Sequence, residues 1–154
     1  MDTLSALLAR IETCFGFQIC VHDVSGITHA HEQLSLEGRH TYHDCSYCAT
    51  LKQNPKCQNR CLQQKRLALR EARRKPEGYL GVCYLGVCEA VRTVSLAGRP
   101  VAVVFVGGVV KELGAQARER AIRNSALLGG SMDVGTLFDA FAQQAQTSRD
   151  TLCF

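Results

Sequence analysis

No stretch of this sequence is long and apolar enough to cross a bilayer. The longest run, residues 101–110, is about ten residues, roughly half of the ~20 that a spanning helix needs. Asp2 stands where an export signal carries a base, and Arg10 and Glu12 interrupt the first apolar stretch, so no export signal is read there. Internal repeats and low-complexity linkers are lacking, and 154 residues match one domain at the usual size of about 150. Nine cysteines fall short of the density of a disulfide scaffold, and their odd number argues against a closed set of bridges. A hydrophobic fraction of 46% with 21% charged residues excludes a wholly disordered chain. The compartment expected is a reducing cytoplasm, where clustered thiols more often hold metal or do redox work than form lasting bridges.

What is present orders itself into helices and strands. Residues 3–14 predict an amphipathic helix with Leu4, Leu7, Leu8 and Ile11 on one face. Residues 17–22 read as a strand, Asp23-Val24-Ser25-Gly26 as a turn, and residues 27–30 as a second extended piece closing a hairpin. A loop follows over 31–44, then a short helix over 44–52 that ends before Pro55. Residues 56–75 predict a long helix with Leu62, Leu69 and Ala72 inward and a basic outer face of Arg60, Lys65, Arg66, Arg70, Arg73, Arg74 and Lys75. Residues 79–96 read as extended, 97–100 as a hairpin loop, and 101–106 as a buried strand that Gly107-Gly108 ends. Two further helices are expected over 111–128 and 133–149, separated by Gly129-Gly130. The whole predicts one α+β domain over residues 1–154: an N-terminal helix at 3–14, a mostly antiparallel sheet with the cysteine cluster at 17–110, and C-terminal helices at 111–150.

Six cysteines lie in the middle of the chain. Cys45 and Cys48 form a C-x-x-C pair, a spacing that turns two thiolates toward one ion. Cys57 and Cys61 leave one face of the long helix a turn apart, and Cys83 and Cys88 flank an extended stretch that could lie over it. Four converging soft thiolates bind zinc tetrahedrally or hold an iron–sulfur cluster. Structural thiols and a redox disulfide switch are the alternatives at this point. Cys14, Cys20 and Cys153 read as small buried hydrophobes.

At Cys83-Tyr84-Leu85-Gly86-Val87-Cys88-Glu89 the sequence resembles the PocR-type sensory domain, found in AraC-type transcription regulators and fused to signalling kinases, and the resemblance spans most of residues 4–110. Tyr47-Cys48 resembles the family's aromatic-Cys pair, Cys57 its second cysteine, and Cys83 with Gly86-Val87 its third motif. Ala97-Gly98 matches its hairpin, Gly107-Gly108 its strand end, and Phe15-Gly16-Phe17 with Ser25-Gly26 its first hairpin. Tyr84 stands where the family prefers His, Cys61 where an acid is usual, Glu89 near a usual Asp, and Gly108 where Gln is common. Cys61 thereby completes a set of four, Cys48, Cys57, Cys61 and Cys83, as the expected metal ligands, with Cys45 and Cys88 in reserve. The resemblance implies a PAS-like antiparallel sheet with flanking helices and a pocket for a small alcohol or other hydrocarbon derivative. It also implies a separate C-terminal output region, such as a helix-turn-helix, that carries any DNA contact.

The reading is therefore a signal-sensing, ligand-binding domain and not an enzyme. Zn²⁺ is the expected cofactor and an iron–sulfur cluster its alternative. The pocket is expected between Tyr42, Tyr47, Tyr84 and Phe105, with occupancy shifting the terminal helices at 4–11 and 133–149. A thiol redox sensor and a thiol enzyme built on Cys45 with His43 or Cys83 are the competing readings, but no glycine-framed nucleophile turn accompanies those residues. His43 is a borderline ligand with loop exposure expected, and the basic helix face is expected to be solvated, without nucleic acid. No membrane partner is expected. The last helix is a candidate connector or homodimer helix.

Overall fold

The structure, a computed structural model, describes residues 2–43, 45–110, 115–130 and 132–152, the side chains of 145–152 excepted. Its centre is a four-stranded sheet in the order β1-β4-β3-β2, from β1 (Gln18–Asp23), β2 (Tyr79–Val82), β3 (Val87–Leu96) and β4 (Arg99–Val110). Every pairing is antiparallel. Helices pack on both faces, so the α+β expectation holds.

The first helix, α1 (Leu4–Phe15), starts at Thr3, whose hydroxyl accepts from the Ala6 N–H at 3.2 Å. It lays Leu4 and Leu8 on Ile19, Val21 and Ala102, on one face of the sheet. Leu7 and Ile11, expected on the same buried stripe, are instead exposed. The expected hairpin over 17–30 does not form. Ile27–Ala30 is a short helix, α2, because the Asp23 carboxylate accepts from the N–H groups of Ser25, Gly26 and Thr28 and from the Thr28 hydroxyl, winding the chain into a turn. β1 pairs with β4 instead, Cys20 opposite Phe105.

α3 (Ser46–Lys52) and α4 (Pro55–Arg74) follow, the second started by the Asn54 side chain on the Lys56 N–H with Pro55 in its first turn. Ala72, Ala68 and Leu69 of α4 cover Cys20, Val91, Val103 and Phe105 on the opposite sheet face. Leu62, expected inward, is 53% exposed. The extended stretch expected over 79–96 is interrupted by a turn in which the Gly86 N–H donates to the Cys83 carbonyl at 2.9 Å. Ala97 and Gly98, at φ 49° and 75°, make the tight turn between β3 and β4.

Gly107-Gly108 does not end β4, contrary to expectation. The pair forms a bulge inside a strand that runs on to Val110: Cys88 faces Val109 and Glu89 faces Gly107, leaving Gly108 extra at φ 83°. A side chain at 107 has no room, since its Cβ would fall 2.4 Å from the Cys88 carbonyl oxygen. α5 (Ala115–Leu127) and α6 (Val134–Leu152) pack against α3 at one end of the sheet, with Leu137 and Phe141 buried against Tyr47, Leu51 and Cys57. The first part of the helix expected over 111–128, residues 111–114, and Cys153 lie outside the described residues.

Candidate functional site

Between α3, α4, the segment 41–43 and the inner sheet face is a cavity of about 610 Å³. Tyr42, Tyr84 and Phe105, three of the four aromatic residues expected at a pocket, line it. Tyr47 does not. Its ring is fully buried edge-on against Phe141 at 5.2 Å, and its oxygen accepts from Asn124 Nδ2 at 2.8 Å.

The thiols gather around the same cavity. Cys48, Cys61 and Cys83 line it, while Cys57 is fully buried beside it. The spacings place them there: Cys48 lies in the first turn of α3, and Cys57 and Cys61 share one face of α4. The Tyr84 hydroxyl sits 2.8 Å from Cys57 Sγ and 3.5 Å from Cys61 Sγ, and donates to the Cys57 carbonyl at 3.0 Å. Cys45 lies outside the cavity wall; its Sγ caps α3 by accepting from the Cys48 N–H at 3.4 Å. Cys88 stands on β3, outside the cavity lining. Cys20 is buried as expected, but Cys14 is exposed.

Each close pair shares its charge unequally. The hydrogen bond from Cys57, then those of Tyr84 and the charges of Lys52 and His43, pull the Cys61 thiol down to about 6 against its burial, and Cys57 is pushed up. In the same way the Cys48 side chain lowers Cys45 to about 7, while Cys48 itself rises. Burial raises Cys83 to about 11. Among the described residues, no group of three or more His, Cys, Asp or Glu side chains stands close enough to hold one metal ion. The four expected ligands thus share a neighbourhood rather than a coordination sphere.

Sequence reading missed the charged lining. His43, expected to be loop-exposed, is largely covered: its Nδ1 pairs with the Glu89 carboxylate, and its ring meets Phe105 edge-on at 5.5 Å. Burial would lower His43, but hydrogen bonds that its ring donates to the Cys20 sulfur and the Glu89 carboxylate outweigh it and raise the imidazole to about 9. Lys65, assigned to the solvated face of the long helix, turns into the cavity instead. Its Nζ donates to the Thr41 carbonyl at 3.0 Å and lies 5.8 Å from the centre of the Phe105 ring. Lys52 donates to the His43 carbonyl and faces the Tyr42 ring at 5.7 Å. The signal for Lys65 was available: it follows Cys57 and Cys61 at helical spacing and precedes Ala68 and Ala72 on the same face. Arg60, Arg66, Arg70, Arg73, Arg74 and Lys75 remain exposed.

The cavity walls also hold both terminal helices. Just before Tyr42 and His43, the fully buried His40 places Nδ1 3.1 Å from Ser5 Oγ and Nε2 3.4 Å from Glu12 Oε2, both on α1. On the other side, α3 presents Cys48, Ala49 and Lys52 to the cavity and Tyr47 to Phe141 of α6.

The family described as the sensory domain found in PocR matches residues 1–152. The chain belongs to that family. No curated protein and no solved structure matches it. Membership makes this a signal-sensing domain, and among the described residues no helix is long and apolar enough to cross a membrane.

Proposed function

We propose that this PocR domain senses a small organic molecule taken into the cavity between α3, α4 and the sheet, and passes occupancy through α1 and α6 to an output domain. The cavity carries the reading: about 610 Å³ lies within the ~300–1,000 Å³ usual for small-molecule sites. A ligand that moves segment 41–43 pulls on His40 and, through Ser5 and Glu12, on α1. A ligand that moves α3 pulls on α6 through Tyr47 and Phe141. An AraC-type helix-turn-helix output, read by a cytoplasmic protein, suits this role. Binding rather than catalysis fits the polar groups as well. Ser5, His40 and Glu12 have the residue types of a hydrolytic triad, but Ser5 is buried and accepts from the Glu37 N–H, which makes the group a latch.

Titrating the purified chain with butan-1-ol, benzyl alcohol, butyrate and benzoate, followed by amide hydrogen exchange, tests this. Saturation with a bound probe should change protection in both Leu4–Phe15 and the first turns of α6. Binding that leaves both helices unchanged removes the transmission step. An Ala49→Phe variant, which fills the cavity, should abolish binding, and retained affinity there would place the site elsewhere.

A second reading is favoured by three thiols in the cavity lining, one each from α3, α4 and the turn between β2 and β3, with a fourth beside it. Cys48, Cys57, Cys61 and Cys83 would draw together on a soft ion, zinc first and an iron–sulfur cluster second. Metal analysis and an absorption spectrum of anaerobically purified protein separate the cases. One zinc in a colourless protein supports the first, and a brown protein with a broad visible shoulder supports the second. A metal-free protein with reduced thiols leaves the cavity to the organic ligand alone.

A further inference from the structure

We propose that the cavity selects a small organic monocarboxylate, its carboxylate held by Lys52 and Lys65 and its apolar body laid against Phe105, Leu85 and Ala68. The proposal rests on the cavity being the sensing site and names the chemistry it would recognise.

Two half-buried ammonium groups reach this cavity, one from each of the two helices that frame it. Lys65 donates to the Thr41 carbonyl and Lys52 to the His43 carbonyl, acceptors two residues apart on one segment, so the two cations are held over the same stretch of wall. Among the described residues neither has a carboxylate partner; their contacts are carbonyls, the Cys20 thiol and the faces of Tyr42 and Phe105. Among the described residues, the one carboxylate in the lining, Glu89, is already engaged by His43. Among the described residues, the lining thus offers two ammonium groups, Lys52 and Lys65, and no carboxylate left over to meet them.

An ammonium that is partly withdrawn from water and bonded only to neutral acceptors has unspent donor capacity, since each carries three N–H bonds. A carboxylate oxygen meets it with a charge-assisted hydrogen bond, roughly twice as strong as a neutral one. A neutral alcohol offers no such gain, and a second carboxylate would lie against the apolar part of the lining. The rest of the lining explains why the anion should be organic. Phe105, Leu85, Val87, Ala49, Ala68 and Leu62 give an apolar wall that inorganic phosphate cannot use.

The test is calorimetric titration of the purified chain with matched probes: butyrate against butan-1-ol, benzoate against benzyl alcohol, and inorganic phosphate. Each acid should bind about tenfold or more tightly than its alcohol, benzoate should bind more tightly than phosphate, and the acids alone should weaken with added salt. Lys65→Gln and Lys52→Gln should each remove most of that preference while alcohol affinity is kept, and Lys65→Arg should retain it. Equal affinity of acid and alcohol overturns the proposal, and so does a preference unchanged in both glutamine variants. Because the matched probes decide on the native chain, a variant that fails to fold does not leave the question open. Alcohols binding without acids overturns the carboxylate assignment and spares the cavity as sensing site. Binding of none of the five probes overturns both.

Discussion

The Tyr84 hydroxyl, on the turn between β2 and β3, lies 2.8 Å from Cys57 Sγ on α4 and also donates to the Cys57 carbonyl at 3.0 Å. This contact ties the sheet to the helix that forms one side of the cavity. Tyr84→Phe leaves the buried Cys57 thiol and carbonyl without their partner and should cost about 1–2 kcal/mol, read from urea unfolding. It also removes a hydrogen bond that favours the Cys61 thiolate, so the pH midpoint of Cys61 alkylation should move up from about 6. A variant with the native unfolding midpoint and the native alkylation profile would show that the hydroxyl holds neither group.

The His43–Glu89 pair gives stability a dependence on pH. Its imidazole is raised from 6.5 to about 9 in the folded chain, so the protonated pair contributes fully below the unfolded value and is lost as pH rises through 9. Comparison with His43→Gln isolates the effect. The stability difference between the two proteins should be flat below about pH 6.5 and shrink by about 3 kcal/mol by pH 10. A difference that grows with pH would mean the imidazole is buried neutral.

Patterns within one element were legible in the sequence, and pairings across elements were not. Residues 56–75 predicted α4 to within a residue at each end, because helix formers run without Gly or Pro between Asn54-Pro55 and Pro76. The thiol neighbourhood followed from spacing on α3 and α4. The sequence misleads at 27–30, where residues with strand propensity are overruled by Asp23 capping a turn, and where β1 finds its partner some eighty residues away. His43 and Glu89 lie on a loop and on a strand beside the β4 bulge, and no local pattern in the sequence encodes their meeting. Lys65 is indistinguishable by type from the arginines around it; only its place on the Cys57–Cys61 face separates it.

That bulge makes Gly107 sensitive. A methyl group there would meet the Cys88 carbonyl at 2.4 Å and Glu89 Cα at 2.8 Å, both of them backbone atoms that cannot turn aside. Gly107→Ala should therefore destabilise by about 3 kcal/mol and shift the Glu89 carboxylate away from His43, lowering the imidazole pKa read by NMR. Gly98→Ala, in open space at the β3–β4 turn, should show only the milder cost of a positive φ. Equal effects at the two positions would sink the packing argument.

Asn124 and Tyr47 form a buried polar pair, Nδ2 to hydroxyl oxygen at 2.8 Å, among Leu and Phe side chains. Tyr47→Phe keeps the ring on Phe141 but strands the amide, whose Oδ1 already lacks a partner among the described residues. The variant should lose about 1–3 kcal/mol, the cost of leaving a buried donor unpaired. Replacing both partners removes that cost: Tyr47→Phe with Asn124→Leu should be more stable than Tyr47→Phe alone, since two apolar groups of similar shape need no partner. Thermal or urea unfolding of the single and double variants measures this directly. A double variant less stable than the single one would mean that Asn124 is held by something other than Tyr47, and that α5 is not fastened to the cavity helix α3 through this pair.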